Sequence, residues 1–195
     1  VRLIDGENTL AEVNTTSSGR FRFDVSTEKN YILIGEKSNY FTARSSYSTV
    51  GKTVNKDTLV QEVTTVTFDT KLVLDKIVLE KAIVLENIYY DLDKSDIRPD
   101  AALELDKLVQ VLMDNPDIRI ELSSHTDSRG NDAYNLALSQ RRAQSAVDYI
   151  ISKGISADRL TARGYGETRL VNDCGNGINC TEEQHQENRR TEFKV

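Results

Sequence analysis

Hydrophobic and polar positions divide the chain into two grammars. Over the first seventy or so residues, short segments alternate apolar and polar side chains: Arg20-Phe21-Arg22-Phe23-Asp24-Val25, Tyr31-Ile32-Leu33-Ile34 and Val63-Thr64-Thr65-Val66-Thr67-Phe68. Turn-forming residues such as Asp5-Gly6 and Ser17-Ser18-Gly19 separate them. A period of two between turn signals predicts an all-β sandwich. Residues 71–84 are apolar with spaced charges and read as a connecting strand or strand pair.

From Leu85 onward strands and helices alternate. Asn87-Ile88-Tyr89-Tyr90-Asp91 reads as a strand. Pro99 suits a first helical turn. Ala101, Leu105, Leu108, Val109 and Leu112 then recur at i, i+4, i+7, i+8 and i+11, one apolar stripe of a helix that Asn115-Pro116 ends. Ile118, Ile120 and Leu122 alternate with polar neighbours, as in a half-buried strand. A second helix is expected from about Asp132 to Ser152, with Gly154 ending it and Leu136, Ala143, Val147 and Ile150 as its apolar stripe. Residues 160–165 read as a third strand, 182–188 as a short helix, and Thr191, Phe193 and Val195 as a last strand. The expectation is two domains. Residues 1–80 form a β-sandwich lacking its first strand, with connecting strands. Residues 81–195 form an α+β fold, a small mixed sheet with two long helices on one face.

Charge narrows the function. The net charge is −6, and general nucleic-acid binding depends on neutralising phosphates with Lys and Arg. No window is apolar enough to span a bilayer. The first residues already read as a strand, with no basic or apolar leader before them, so the chain is expected to be the mature part of something longer. The two cysteines, Cys174 and Cys180, share one Gly- and Asn-containing loop. They could be free thiols or a small disulfide. The bridge is favoured, since the intervening residues turn tightly, and it points to the periplasm or the exterior.

Candidate chemistry concentrates in Ser123-Ser124-His125-Thr126-Asp127-Ser128-Arg129-Gly130, between a strand and a helix. A plain helix-entry loop would also look like this. On the second helix, Asn135, Ser139 and Arg142 share one side, whereas Arg141 points outward into solvent. Arg142 at the core margin needs an anionic partner, either a structural Asp or a ligand carboxylate. Asp91 and Asp93 could do acid/base work but read better as helix caps. A Ser124/His125/Asp127 triad is set aside because residues so close in one loop rarely reach triad geometry. A metal site at His125 and Asp127 lacks a third ligand.

These residues also carry a resemblance. Asn135-Leu-Ala-Leu138-Ser139-Gln-Arg-Arg142-Ala143-Gln-Ser-Ala-Val147 resembles the signature of OmpA-like peptidoglycan-binding domains. Tyr89-Tyr90-Asp91-Leu92-Asp93, His125-Thr126-Asp127, Gly164-Tyr165-Gly166 and Asn188-Arg189-Arg190-Thr191-Glu192 resemble further family motifs in the family's order, over about residues 85–195. The resemblance implies a non-enzymatic module without cofactor or metal. It would bind the diaminopimelate of the peptidoglycan stem peptide, with Asp127 accepting the ammonium and Arg142 clamping the carboxylate. Asn135, Asp93 and Arg189 match positions that line the family's pocket. Asp93 stands where many relatives have Asn, and Ser124 where Gly is common. The cysteine loop is similar to one taken as bridged in OmpA-like proteins of the Bacteroidetes. Residues 1–70 resemble a carboxypeptidase-regulatory-like sandwich. The pairing is similar to PorE-type components of the type IX secretion system. It implies a periplasmic, outer-membrane-associated anchor, lipoprotein-borne through a part not present here, with outer-membrane or secretion-system partners for the first domain. The alternative is a periplasmic interaction scaffold with a vestigial pocket.

Overall fold

The computed structural model describes residues 1–52, 66–85, 88, 90 and 94–195. The chain divides into two compact units, Val1–Ile77 and Val78–Val195.

In the first unit, β1 (Arg2–Asp5), β2 (Asn8–Glu12), β3 (Asn30–Gly35) and β4 (Ala43–Ser48) form one antiparallel sheet in the order β2-β1-β3-β4. Leu3, Tyr31 and Leu33 are its buried core, and Phe21 and Phe23 pack against them. The expected strand at 20–25 is not a strand. Its alternation is real, since both phenylalanines turn inward, but its backbone joins no ladder. Side-chain burial and backbone pairing are separate conditions, and the alternating pattern reports only the first. Of the expected strand at 63–68, residues 63–65 lie outside the described residues and the rest is irregular. Most of the 71–84 segment is irregular too. It is tethered where Ile77 N–H donates to Asn39 O at 2.9 Å and Asp75 O accepts from Phe41 N–H at 2.8 Å. Among the described residues this unit has one sheet.

The second unit is α+β. Its sheet runs β5 (Ile83–Leu85), β8 (Thr191–Lys194), β6 (Ile120–His125), β7 (Leu160–Gly166), with β6 and β7 parallel and the remaining pairs antiparallel. The edge strand falls at 83–85, earlier than the expected 87–91, of which residues 87, 89 and 91 lie outside the described residues. α1 (Pro99–Asp114) follows, with all five predicted stripe residues buried. α2 (Asp132–Ser152) joins β6 to β7, and α3 (Glu182–Asn188) precedes β8. Register puts Ile120, Leu122, Leu160 and Phe193 on the sheet face that meets α1 and α2, where they share a core with Leu105, Leu112, Val147 and Ile150. Each such side chain contributes about 1.5–3 kcal/mol by leaving water. The other face carries Glu121, His125, Tyr165 and Glu192, a polar surface typical of a one-sided sheet.

Two features were not read from the sequence. Leu136, assigned to the apolar stripe of α2, is 49% exposed, and Leu138 and Ala146 take its place in the interior. The reason is that α2 packs mainly on β7, which rotates the buried face toward Asn135, Ser139 and Arg142. In addition, Arg159 ends α1 from a distance. Its guanidinium donates to Leu112 O (2.9 Å), Asn115 O (2.7 Å) and Ile118 O (2.9 Å), satisfying carbonyls that a helix end leaves open.

Candidate functional site

The site begins where β6 stops. Thr126 N–H donates to Gly166 O at 3.0 Å and His125 N–H to Arg190 O at 2.9 Å, so the strand end is held on both sides. Asn131 then caps α2, its side chain accepting from Tyr134 N–H at 3.2 Å. Between strand and cap, three contacts hold the loop. Ser128 donates to Cys174 O at 2.5 Å. The amide of Asn135 donates to Arg129 O at 3.1 Å and to Glu167 at 2.7 Å. Cys174 and Cys180 are joined as a disulfide, which fixes the loop that supplies the Cys174 carbonyl.

The family-like Gly164-Tyr165-Gly166 stretch explains how α2 reaches the site. A Cβ at Gly164 would lie 2.1 Å from the backbone nitrogen of Gln140, so a larger residue would push the helix off the strand. Gly166 has φ of 51° and would place a Cβ 2.9 Å from Leu136 N. At this close range Gly164 N–H donates to Gln140 Oε1 and Gly166 N–H to Ser139 Oγ, both at 2.8 Å. Ser139 is the hydroxyl that fits against the strand, and Arg142 lies one helical turn further on.

Asp127 is buried, its side chain 9% exposed, and its carboxylate is densely engaged. Oδ1 accepts Arg129 N–H at 3.0 Å. Oδ2 accepts Arg129 Nη2 at 2.7 Å, Arg129 Nε at 3.2 Å and Arg189 Nη1 at 2.5 Å. Burial alone would raise its pKa, but the hydrogen bonds from Arg129 and Arg189 outweigh that and hold it below the usual carboxylate range. Both arginines also reach Glu182 on α3, at 2.9 Å and 2.6 Å.

Beside this ring lies a cleft lined by Ile88, Tyr90, Ser124, His125, Arg142, Gln186, Arg189, Arg190 and Thr191. Arg142 donates through Nε to Lys94 O at 3.0 Å and lies over the Tyr90 ring at 4.8 Å. Tyr90 keeps its proton, because burial raises its pKa beyond what Thr191 and Arg142 offset. His125 is stacked on Tyr165 at 5.3 Å, and its Nε2 meets Glu192 at 3.0 Å. Burial, followed by the charge of Arg190, pushes its pKa down to about 4. The ring is therefore neutral at pH 7, the Glu192 carboxylate puts the proton on Nε2, and the buried Nδ1 has no partner among the described residues.

Arg142 and Arg189 thus line one cleft, and Asp127 joins it through Arg189. The guanidinia bonded to Asp127 are those of Arg129 and Arg189, while Arg142, expected to clamp a ligand carboxylate, lines the cleft beside them. Asn135 braces the 127–129 backbone and does not line the cleft. Asp93 and Asp91 lie outside the described residues. Arg141 is exposed, as expected of its helix face. Tyr90, Arg129 and Glu182 are the residues that sequence reasoning left without a role. For Arg129 the signal was present, as an opposite charge two positions from Asp127 in the same loop. Among the described residues no three His, Cys, Asp or Glu side chains come together as metal ligands, and no helix is long and apolar enough to cross a membrane.

Known proteins share this unit. The chain is similar to outer membrane protein A of Escherichia fergusonii, 44% identical over 94 residues, covering 46% of this chain and 39% of that protein. It is also 38% identical over 109 residues to outer membrane porin F of Pseudomonas fluorescens, covering 56% of this chain and 32% of the porin. The chain therefore spans well under half the length of these curated relatives. A solved peptidoglycan-associated lipoprotein from Burkholderia pseudomallei superposes with a TM-score of 0.49 at 26% identity, over 55% of this chain and 86% of that one. Residues 89–185 match the sequence model of the OmpA family, and the C-terminal unit is an OmpA-like domain.

Proposed function

We propose that the OmpA-like unit binds peptidoglycan and holds an envelope assembly to the cell wall, and that its ligand is the diaminopimelate of the stem peptide. The free end of that residue carries an ammonium beside a carboxylate. The observation that supports the reading is the adjacency of opposite charges. The Asp127 carboxylate can accept an ammonium, and the arginine-lined cleft of Arg142 and Arg189 can take a carboxylate. Tyr90 contributes a neutral wall beside Arg142. The module acts by binding alone and releases no soluble muropeptides from sacculi. Its place is the periplasm, outer-membrane associated.

The test is calorimetric titration of meso-diaminopimelate, or a stem peptide containing it, into the protein and into Arg142→Ala. Binding by the first and loss in the second is the expected result. No binding by either folded protein would overturn it.

A second reading has one observation in its favour. Asp127 is already engaged by its own arginines, as in an interaction scaffold whose pocket no longer takes a ligand. Failure of isolated sacculi to retain the protein would select it. For the first unit, we extend the proposal to a carboxypeptidase-regulatory-like sandwich that binds outer-membrane or secretion-system proteins in a PorE-type type IX assembly. Cross-linking from the β1–β4 sheet in cells, and identification of what it captures, tests that part.

A further inference from the structure

The Asp127 ring has an inner and an outer half. Asp127 and Arg189 are the inner half, with side chains 9% and 24% exposed. Arg129 and Glu182 are the outer half, 52% and 62% exposed. Arg129 places a cation on Asp127 Oδ2 at 2.7 Å. Glu182 places a carboxylate on Arg189 Nη2 at 2.6 Å. The two outer groups also pair with each other at 2.9 Å. The outer half is therefore a linked cation and anion, and it presents each of its charges to the opposite charge of the inner half.

We infer that Arg129 and Glu182 form an internal latch that stands in for a zwitterionic ligand, occupying its ammonium and carboxylate positions until the ligand displaces them. The inference rests on the wall-binding reading above and adds how that site is kept closed. Charge accounting favours exchange. An ammonium replaces the Arg129 guanidinium on Asp127, and a carboxylate replaces Glu182 on Arg189. Neither inner charge is left buried and unpaired, which would be the costly outcome. The displaced side chains are already more than half in water, so they lose little on release, and exposed ion pairs of this kind are weak. The backbone N–H of Arg129 keeps its bond to Oδ1 throughout, because it belongs to the loop and not to the side chain. Gln186 holds Arg189 in place from α3, at 3.1 Å on Nε and 2.5 Å on Nη2, so the inner cation does not follow the latch outward. A ligand with one charge alone would open only half the ring. The latch therefore selects for a zwitterion.

The experiment titrates meso-diaminopimelate calorimetrically into the wild-type chain and into the double variant Arg129→Gln/Glu182→Gln. Removal of the competitor should tighten binding about three- to tenfold. Cadaverine, which has ammonium groups and no carboxylate, should gain less than the zwitterion. Wild-type binding with unchanged or weaker binding by the variant would overturn the latch and leave the wall reading standing. Absence of binding by both would overturn the two together. Should the double variant fail to fold by near-UV circular dichroism, Glu182→Gln alone, at an exposed position, carries the same prediction with a smaller gain.

Discussion

Arg189 and Asp127, 62 positions apart, meet at 2.5 Å, and this contact ties the end of α3 to the loop that follows β6. It joins a helix end and a loop into one charged cluster beside the cleft. Replacing Asp127 by Asn should remove the buried counter-charge that Arg189 shares with Arg129, leaving both on the exposed Glu182, and cost about 1–3 kcal/mol. Urea unfolding of the variant measures this, and an unchanged midpoint would show that the contact contributes nothing. The pH dependence has a definite sign. Asp127 titrates lower in the folded chain than in the unfolded one, so its contribution is complete above the ordinary carboxylate range. It is lost as the pH falls below that range.

His125 sets a second pH dependence at a higher window. Its pKa falls from 6.5 to about 4 on folding. Between those values the unfolded chain binds a proton that the folded chain does not, so stability rises with pH there. The groups around the ring are Glu192, which opposes the shift, and Arg190 and Arg169, which favour it. The expected loss on acidification through this window is at most about 3 kcal/mol. Denaturation midpoints between pH 7 and pH 4.5 should show this slope, and His125→Gln should flatten it.

Gly164→Ala should be among the most damaging single changes. Its methyl would meet the Gln140 backbone at 2.1 Å, and backbone cannot swing aside as a side chain can. The expected cost is about 3 kcal/mol. Because α2 must shift to relieve it, ligand affinity should fall along with the denaturation midpoint. A variant that is stable and binds normally would mean that the helix and strand are not held at this distance.

The disulfide closes a loop with a sequence separation of six between Cys174 and Cys180. Chain entropy assigns such a loop about 2 kcal/mol. Thermal unfolding of Cys174→Ala/Cys180→Ala, compared with the oxidised parent, should show that loss. The bridge also holds the carbonyl to which Ser128 donates, next to Asp127. Weaker diaminopimelate binding in the double variant, at temperatures where it remains folded, is therefore expected as well.

The sequence by itself determined most of the second unit. The stripe of Ala101, Leu105, Leu108, Val109 and Leu112 is enough to place α1 and its buried face, because a helix buries whatever recurs at its own period. Pro99 and Asn115-Pro116 mark its ends, since a ring on the backbone nitrogen is tolerated only in a first turn. The first unit was less legible. Phe21 and Phe23 alternate as a strand would, yet they only pack on one, because pairing depends on which backbone comes alongside. Tertiary structure decided how the site is assembled. Leu136 is exposed because α2 lies against β7 through two glycines, a contact between segments with no common period. Asp127 and Arg142 lie fifteen positions apart, and only the family resemblance assigned one to a ligand ammonium and the other to its carboxylate. The folded chain places on Asp127 the guanidinia of Arg189, a position the resemblance had named, and of Arg129 from the loop itself. Charges attract at a distance fixed by the fold, and linear spacing does not record that distance.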